Sequence, residues 1–319
     1  MRPKRTVSLA FGFVLAASVL VPTAQAAPNG SSASLARTSD NKIQSAAAAE
    51  AYWTPERMAN AIPAQAPATV KAASAPRPQG RPGSIDGAAP SVKVQTEQAQ
   101  GIGIMLNESQ TVGKVFFTNP ANGLNYVCSG ATVNSGKKRL VSTAGHCVHG
   151  GAGGQWMQNW VFVPRYRNGA RPFGTWSAYQ LTARTAWTNS SSSDEDMGMV
   201  IMSGLIVNSV GGNGLRWNWG YSVAVTILGY PAGAPFTGEL QYFCQGTTWN
   251  GHGQQVRAWC NMTGGSSGGP WLQEYNDQNG LGYINSVVSH RHSDASQMDG
   301  PYFDNDIKSL YDFAESLSP

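Results

Sequence analysis

From Gly113 onward the chain is written in short β-forming runs, each stopped by glycine, asparagine or proline. Lys114-Val115-Phe116-Phe117-Thr118 ends at Asn119-Pro120-Ala121-Asn122-Gly123, and Leu124 to Cys128, Ala131 to Val133 and Arg139 to Ser142 follow in quick succession. Further on stand Trp160 to Val163, Met199 to Met202, Ser222 to Leu228 and Tyr283 to Ser289. Such β-branched and aromatic runs between turn residues read as strands, and many of them at close spacing read as an all-β barrel or sandwich. Helical periodicity is clear only at the end. There Asp306 can cap Ile307 to Ser316, with Ile307, Leu310, Tyr311 and Ala314 spaced i, i+3, i+4, i+7.

The first hundred residues have a different character. Arg2, Lys4 and Arg5 precede an apolar run from Val7 to Val21, and Ala24-Gln25-Ala26 offers a small-x-small cleavage site. This pattern predicts an export signal over residues 1–26 and a secreted, extracellular mature protein without a membrane span. Residues 27–100 are rich in Ala, Pro, Ser and Gln, so they bury too little apolar surface to offset chain entropy. They read as a largely disordered pro-segment, removed on maturation, whose end falls between residues 85 and 115. Only Ala46 to Ala61, with Tyr52, Trp53 and Met58, suggests a short helix or docking motif.

The formal charge of +4 does not point to nucleic acid. Residues 1–100 hold ten basic and five acidic side chains, and residues 101–319 hold twelve and thirteen. The basic excess thus belongs to the expected pro-segment, and no basic run with interleaved aromatics exists. Cys128, Cys147, Cys244 and Cys260 are an even set in an exported chain, which predicts two disulfides. Three pairings are open; the sequence-local one, Cys128–Cys147 with Cys244–Cys260, closes two short loops. Zinc is disfavoured because no C-x-x-C pair is present.

Three segments carry chemistry. Gly265-Ser266-Ser267-Gly268-Gly269-Pro270 offers a serine flanked by glycines, which let a carbonyl approach backbone N–H groups. Ser142-Thr143-Ala144-Gly145-His146-Cys147 offers the base that such a serine needs. Asp194-Glu195-Asp196, leading into the apolar run Met197 to Ile201, offers the acid that orients the imidazole. Asp196 enters that run more directly than Asp194, which reads as a solvated loop residue. His149, His252, His290 and His292 read as surface or loop histidines. Gly265-x-Ser267-x-Gly269 also matches the elbow of α/β-hydrolases, but there the acid and histidine follow the serine. Only 52 residues follow Ser267 here, too few for the strands and helices required.

The order His146, Asp196, Ser267 on a β-rich chain resembles the chymotrypsin-like serine proteases. The likeness covers residues 110–317, with motif separations of 50 and 71 residues. It implies two antiparallel six-stranded β-barrels with a C-terminal helix, the first over about 101–203 and the second over 204–319. It implies a serine endopeptidase acting on proteins or peptides as a monomer, through an acyl-enzyme and without metal or cofactor. His146, Asp196 and Ser267 would form the triad, and the N–H groups of Gly265 and Ser267 the oxyanion hole. Cys128-Ser129-Gly130 places the disulfide partner of Cys147 upstream, and Ser289 resembles the serine that supports the aspartate. Besides substrates, the expected partner is the pro-segment itself; nucleic acid and membrane are not expected.

Departures from the family pattern limit the substrate. Ser266 stands where animal-type members hold an activating aspartate, and no Ile-Val-Gly-Gly is present. Gly229-Tyr230-Pro231 and the long pro-segment look more like the bacterial branch containing glutamyl endopeptidases. Those enzymes hold a histidine where this chain has Val288, and trypsin-like ones an aspartate where it has Asn261. Asn261, Met262, Thr263, His290 and Arg291 are the expected specificity-pocket residues, with the last two able to form a cationic rim. A catalytically silent binding protein on the same scaffold is the alternative. Trp217-Asn218-Trp219 reads as core packing rather than a polysaccharide platform.

Overall fold

Six antiparallel strands in the first half close on themselves. The computed structural model places them at Val112–Asn119, Leu124–Val133, Leu140–Thr143, Gln158–Pro164, Trp176–Arg184 and Gly198–Met202. The 112–119 strand pairs with both 124–133 and 158–164, and pairing of 176–184 with 198–202 completes the ring. Val115, Phe162, Leu140, Val141, Met199 and Ile201 are fully buried, as the β-branched and aromatic runs predict. Closure pairs each of the six strands on both sides, leaving only strand ends such as Tyr126–Val127 open to a further segment.

The structure describes residues 45–66, 80–91, 107–293 and 295–319, with Met1 and the backbone of Leu35–Arg37. All but Met1 lie in one unit, Ala33–Pro319. The expected export signal lies outside the described residues apart from Met1, and no described helix is long and apolar enough to cross a membrane.

The second half is built from two sheets. One has the order Tyr242–Thr247, Ala224–Gly229, Pro270–Asn276, Leu281–Val287, Gly214–Trp217, and the other contains Gln255–Trp259 paired with Gln297–Pro301. Cys244–Cys260 ties the first sheet to the end of the 255–259 strand. Within the first of these sheets Gly214–Trp217 runs parallel to Leu281–Val287. The C-terminal helix spans Asn305–Leu317 and buries Ile307, Leu310, Tyr311 and Ala314. Its cap is Asp304, whose Oδ1 accepts the Asp306 N–H at 2.7 Å, two residues before the expected cap.

Parts of the leading segment have fixed structure. Helices Ala46–Tyr52 and Pro55–Ala59 are capped by Ser45 and Thr54, and Ile62–Pro63 lies parallel to Tyr126–Val127. Gly83–Ile85 adds an antiparallel edge strand to Gly214–Trp217. The 45–66 stretch is held because Ala49, Trp53, Met58 and Ala64 become buried against the body of the protein, and Gly83–Ile85 by its strand pairing. Composition alone hides such burial, since the few anchoring residues are diluted among small ones.

Candidate active site

The Cys128–Cys147 disulfide joins the second barrel strand to the short 3-10 turn Gly145–Cys147 that carries His146. Asp196 sits at the entry to the Gly198–Met202 strand, which pairs with Leu140–Thr143 just before that turn. The strand ladder therefore fixes His146 and Asp196 side by side. Asp196 Oδ1 accepts the His146 backbone N–H at 2.8 Å, and Oδ2 lies 2.8 Å from His146 Nδ1. Ser289 donates its hydroxyl to the same Oδ2 at 2.5 Å. Asp196 is wholly buried, which by itself raises a carboxyl pKa. The adjacent His146 and the bonds from His146 and Ser289 outweigh that burial and hold it below the ordinary range. His146 Nε2 is buried and has no hydrogen-bond partner among the described residues.

Ser267 is brought to this pair by its backbone. Its carbonyl accepts the Ser129 N–H at 2.7 Å and lies 3.7 Å from Cys147 Sγ. The next residue, Gly268, has φ +79, and a Cβ there would stand 2.1 Å from Thr143 Oγ1 and 2.8 Å from the Ala144 nitrogen. Only glycine lets the serine loop press this closely on the histidine loop.

Backbone polarity around the serine is also set. The Gly264 carbonyl accepts the Ala232 N–H at 2.7 Å, and the Ser266 carbonyl accepts that of Gly269 at 2.9 Å. In a trans peptide the following N–H points opposite to the carbonyl. The N–H groups of Gly265 and Ser267 are thus turned away from those partners, and neither has an acceptor among the described residues. Ser129 Oγ donates to the Gly265 carbonyl at 2.8 Å while accepting the Tyr230 N–H. Sequence reading passes over Ser129, because the Cys128-Ser129-Gly130 motif marks only the disulfide and not this contact.

A cavity of about 610 Å³ opens at Ser267, walled by Thr263, Gly264 and Ser266 on one side and Val288 to Arg291 on the other. Of the expected pocket residues, Thr263, His290 and Arg291 line it. Asn261 and Met262 do not: Met262 buries its side chain in the second hydrophobic cluster, and Asn261 is exposed. His290 is not the loop histidine expected. Its Nδ1 lies 3.1 Å from Ser289 Oγ and its Nε2 3.5 Å from Asp299, which Arg257 grips at 2.6 and 3.0 Å. Burial pushes the His290 pKa below the ordinary imidazole value, against the pull of Asp299. The cation of the expected rim is therefore Arg291 at neutral pH. Asp194 and His149 are likewise buried rather than solvated, with Asp194 accepting from Gln255 at 3.2 Å.

No protein-family model matches the chain. Over 120 residues it is 29% identical to the extracellular metalloprotease of Bacillus subtilis (strain 168), a match spanning 37% of each protein. Among solved structures, the protease Anisep from Arthrobacter nicotinovorans superposes with a TM-score of 0.61 at 36% identity, over 72% of this chain and 99% of that one. The thermostable serine protease AL20, from an extremophilic microorganism, gives 0.62 at 33% identity, over 66% and 99%. A Glu endopeptidase shares the fold, at 0.55 and 18% identity over 73% and 98%. Because the Bacillus relative is called a metalloprotease, the metal-donor set matters. Among the described residues the one cluster with suitable atoms is Cys128, His146 and Cys147. Both sulfurs are in a disulfide, so neither is a thiolate, and His146 Nδ1 already faces Asp196. These residues do not fit a metal.

Proposed function

The chain belongs to the chymotrypsin-like bacterial serine proteases, and from that premise we propose that it is a secreted serine endopeptidase working through His146, Asp196 and Ser267. Ser267 Oγ attacks a peptide carbonyl while His146 Nε2 takes its proton. The oxyanion that forms is met by the N–H groups of Gly265 and Ser267. His146 returns the proton to the leaving amine, and water, activated by the same imidazole, hydrolyses the acyl-enzyme. Asp196 holds the Nδ1–H tautomer and stabilises the imidazolium.

The observation that carries this reading is the two-point grip of Asp196 on His146, at the backbone N–H and at Nδ1. It leaves Nε2 as the imidazole atom free to act as base. Apo sites commonly lack the serine–histidine bond, which tightens once substrate is bound.

The wider reading is of a monomer made with a removable export signal and pro-segment, acting outside the cell on proteins or peptides. Two disulfides suit an oxidising compartment. At the cavity wall Arg291 supports a preference for an acidic side chain, and Val288 does not. A fluorophosphonate serine label tests the core of the proposal. Stoichiometric labelling with loss of peptidase activity, both absent in Ser267→Ala, is expected. No label on either chain would instead favour the silent binding scaffold.

A further inference from the structure

Ser289 does not end the line of contacts behind Asp196. Its hydroxyl carries one proton, and that proton goes to the Asp196 carboxylate, which can only accept. The Ser289 oxygen keeps its lone pairs, and His290 Nδ1 stands 3.1 Å from it. For that contact to be a hydrogen bond the ring must donate, so the hydrogen of His290 must sit on Nδ1.

Strand register puts His290 in this place. The short strand His290–Arg291 pairs with Gln297–Pro301, which sets His290 opposite Asp299. Gln255–Trp259 pairs with the other side of Gln297–Pro301 and sets Arg257 opposite the same Asp299. Side chains directly opposite one another share a sheet face. Arg257, Asp299 and His290 thus form a row across three strands. The Ser289 N–H donates to the Asp299 carbonyl at 3.0 Å, which fixes Ser289 between this row and Asp196.

The far nitrogen of the ring faces Asp299, and the choice of tautomer is made there. Burial lowers the His290 pKa against the pull of Asp299 and Asp196, so at neutral pH the ring is uncharged and has one N–H to place. A free carboxylate would draw that hydrogen to Nε2. Asp299, buried at 1% exposure, is not free: Arg257 Nε and Nη2 donate to its two oxygens at 2.6 and 3.0 Å, whereas His290 Nε2 stands 3.5 Å away. A bidentate guanidinium offsets much of the carboxylate charge. The ring hydrogen is then better placed on Nδ1, where it completes a run of aligned donors ending on Asp196.

Resting on the serine-protease reading above, we propose that His290 is a positioning residue: with its hydrogen on Nδ1 it holds the Ser289 hydroxyl as a donor to Asp196, and the Arg257–Asp299 pair selects that tautomer. His290 acts on the rate only through Ser289. Its place on the cavity wall affects substrate binding separately, and that effect falls on KM.

Amide side chains tell the two ring nitrogens apart, because the NH2 group of Asn falls near the place of Nδ1 and that of Gln near Nε2. In peptide-hydrolysis kinetics on the purified protein, His290→Asn is expected to keep kcat within about twofold of wild type. His290→Gln and His290→Leu should lower kcat about three- to tenfold, the loss of one hydrogen bond. In a Ser289→Ala background all three replacements should leave kcat within about twofold, because the hydroxyl through which they act is gone. Nitrogen NMR of the histidine rings should show wild-type His290 protonated at Nδ1 at neutral pH. Rescue by Gln rather than Asn overturns the proposal, as does an undiminished kcat in His290→Leu, an equal loss without the Ser289 hydroxyl, or a ring protonated at Nε2. If His290→Leu does not fold, the Asn and Gln pair and the ring spectrum decide. A wild-type protein with neither peptidase activity nor fluorophosphonate labelling refutes the serine reading and the kinetic role with it, and the ring spectrum alone then decides the tautomer.

Discussion

Ser289 Oγ sits 2.5 Å from Asp196 Oδ2, on the one carboxylate oxygen that also faces His146 Nδ1. The hydroxyl comes from a residue just past the Leu281–Val287 strand in the second half, whereas Asp196 and His146 belong to the first. One side-chain hydrogen bond thus ties Asp196 of the first half to a loop of the second. Ser289→Ala removes a bond to a buried charge, worth about 1.5–3 kcal/mol. We expect kcat to fall roughly tenfold to a hundredfold with KM little changed. Steady-state kinetics on a peptide substrate will check this, and a KM effect alone would contradict it.

The two disulfides close loops of similar length, with separations of 19 and 16 residues. In the chain-entropy account each stabilises by about 3 kcal/mol, so paired Cys→Ser replacements should lower stability alike. Activity should separate them. Cys128–Cys147 anchors the His146 turn, and its removal should depress kcat in the folded fraction. Removal of Cys244–Cys260 should leave kcat near the wild-type value. Denaturant melts alongside active-site titration would distinguish the pair, and equal losses of kcat would count against it.

Gly268 shows how steric need becomes a prediction. With φ +79 and a Cβ position 2.1 Å from Thr143 Oγ1 and 2.4 Å from the Ser129 carbonyl, alanine has neither the torsion nor the space. Gly268→Ala should cost roughly 3 kcal/mol of stability and nearly all activity. Gly123→Ala, also at positive φ but in open space, should cost only about 1 kcal/mol and spare activity. Similar losses in the two variants, measured by thermal melts, would show that torsion rather than crowding dominates.

The contrast between these residues explains what was legible in the sequence. His146, Asp196 and Ser267 stand out as candidates because the proposed roles need a few specified neighbours: a cysteine that clamps, an apolar strand, glycines beside the serine. Ser129 works through its own backbone and a carbonyl 136 residues away, and no local pattern marks such a contact. Met262 looked like a pocket residue by position but turned into the core, where an apolar side chain gains most. The Trp53 anchor was visible only as a faint aromatic pair, since its partners Phe116 and Asn159 lie far along the chain. Short-range chemistry is readable from spacing, while long-range packing needs the fold.

Asp304 gives a test in pH. Burial raises its carboxyl to about 6, with Asp306 adding to the rise and the Asp306 N–H and Arg184 opposing it. A carboxyl whose folded value lies above its unfolded one binds its proton more tightly in the folded state. Its contribution is complete below the ordinary value of about 3.9 and is lost as pH climbs through about 6. Asp304→Asn keeps an oxygen to accept the Asp306 N–H and carries no charge at any pH. It also relieves Glu195, whose own pKa is raised by burial and by the neighbouring acids Asp306 and Asp304. The variant should match wild type near pH 4 and exceed its stability at pH 7 by on the order of 1–2 kcal/mol. Denaturant melts across pH 4 to 7 should show the gap opening mostly between pH 4 and 6. A constant gap, or one that opens toward acid, would mean that the Asp304 charge is favoured in the folded chain and that the attraction of the nearby Arg184 outweighs burial.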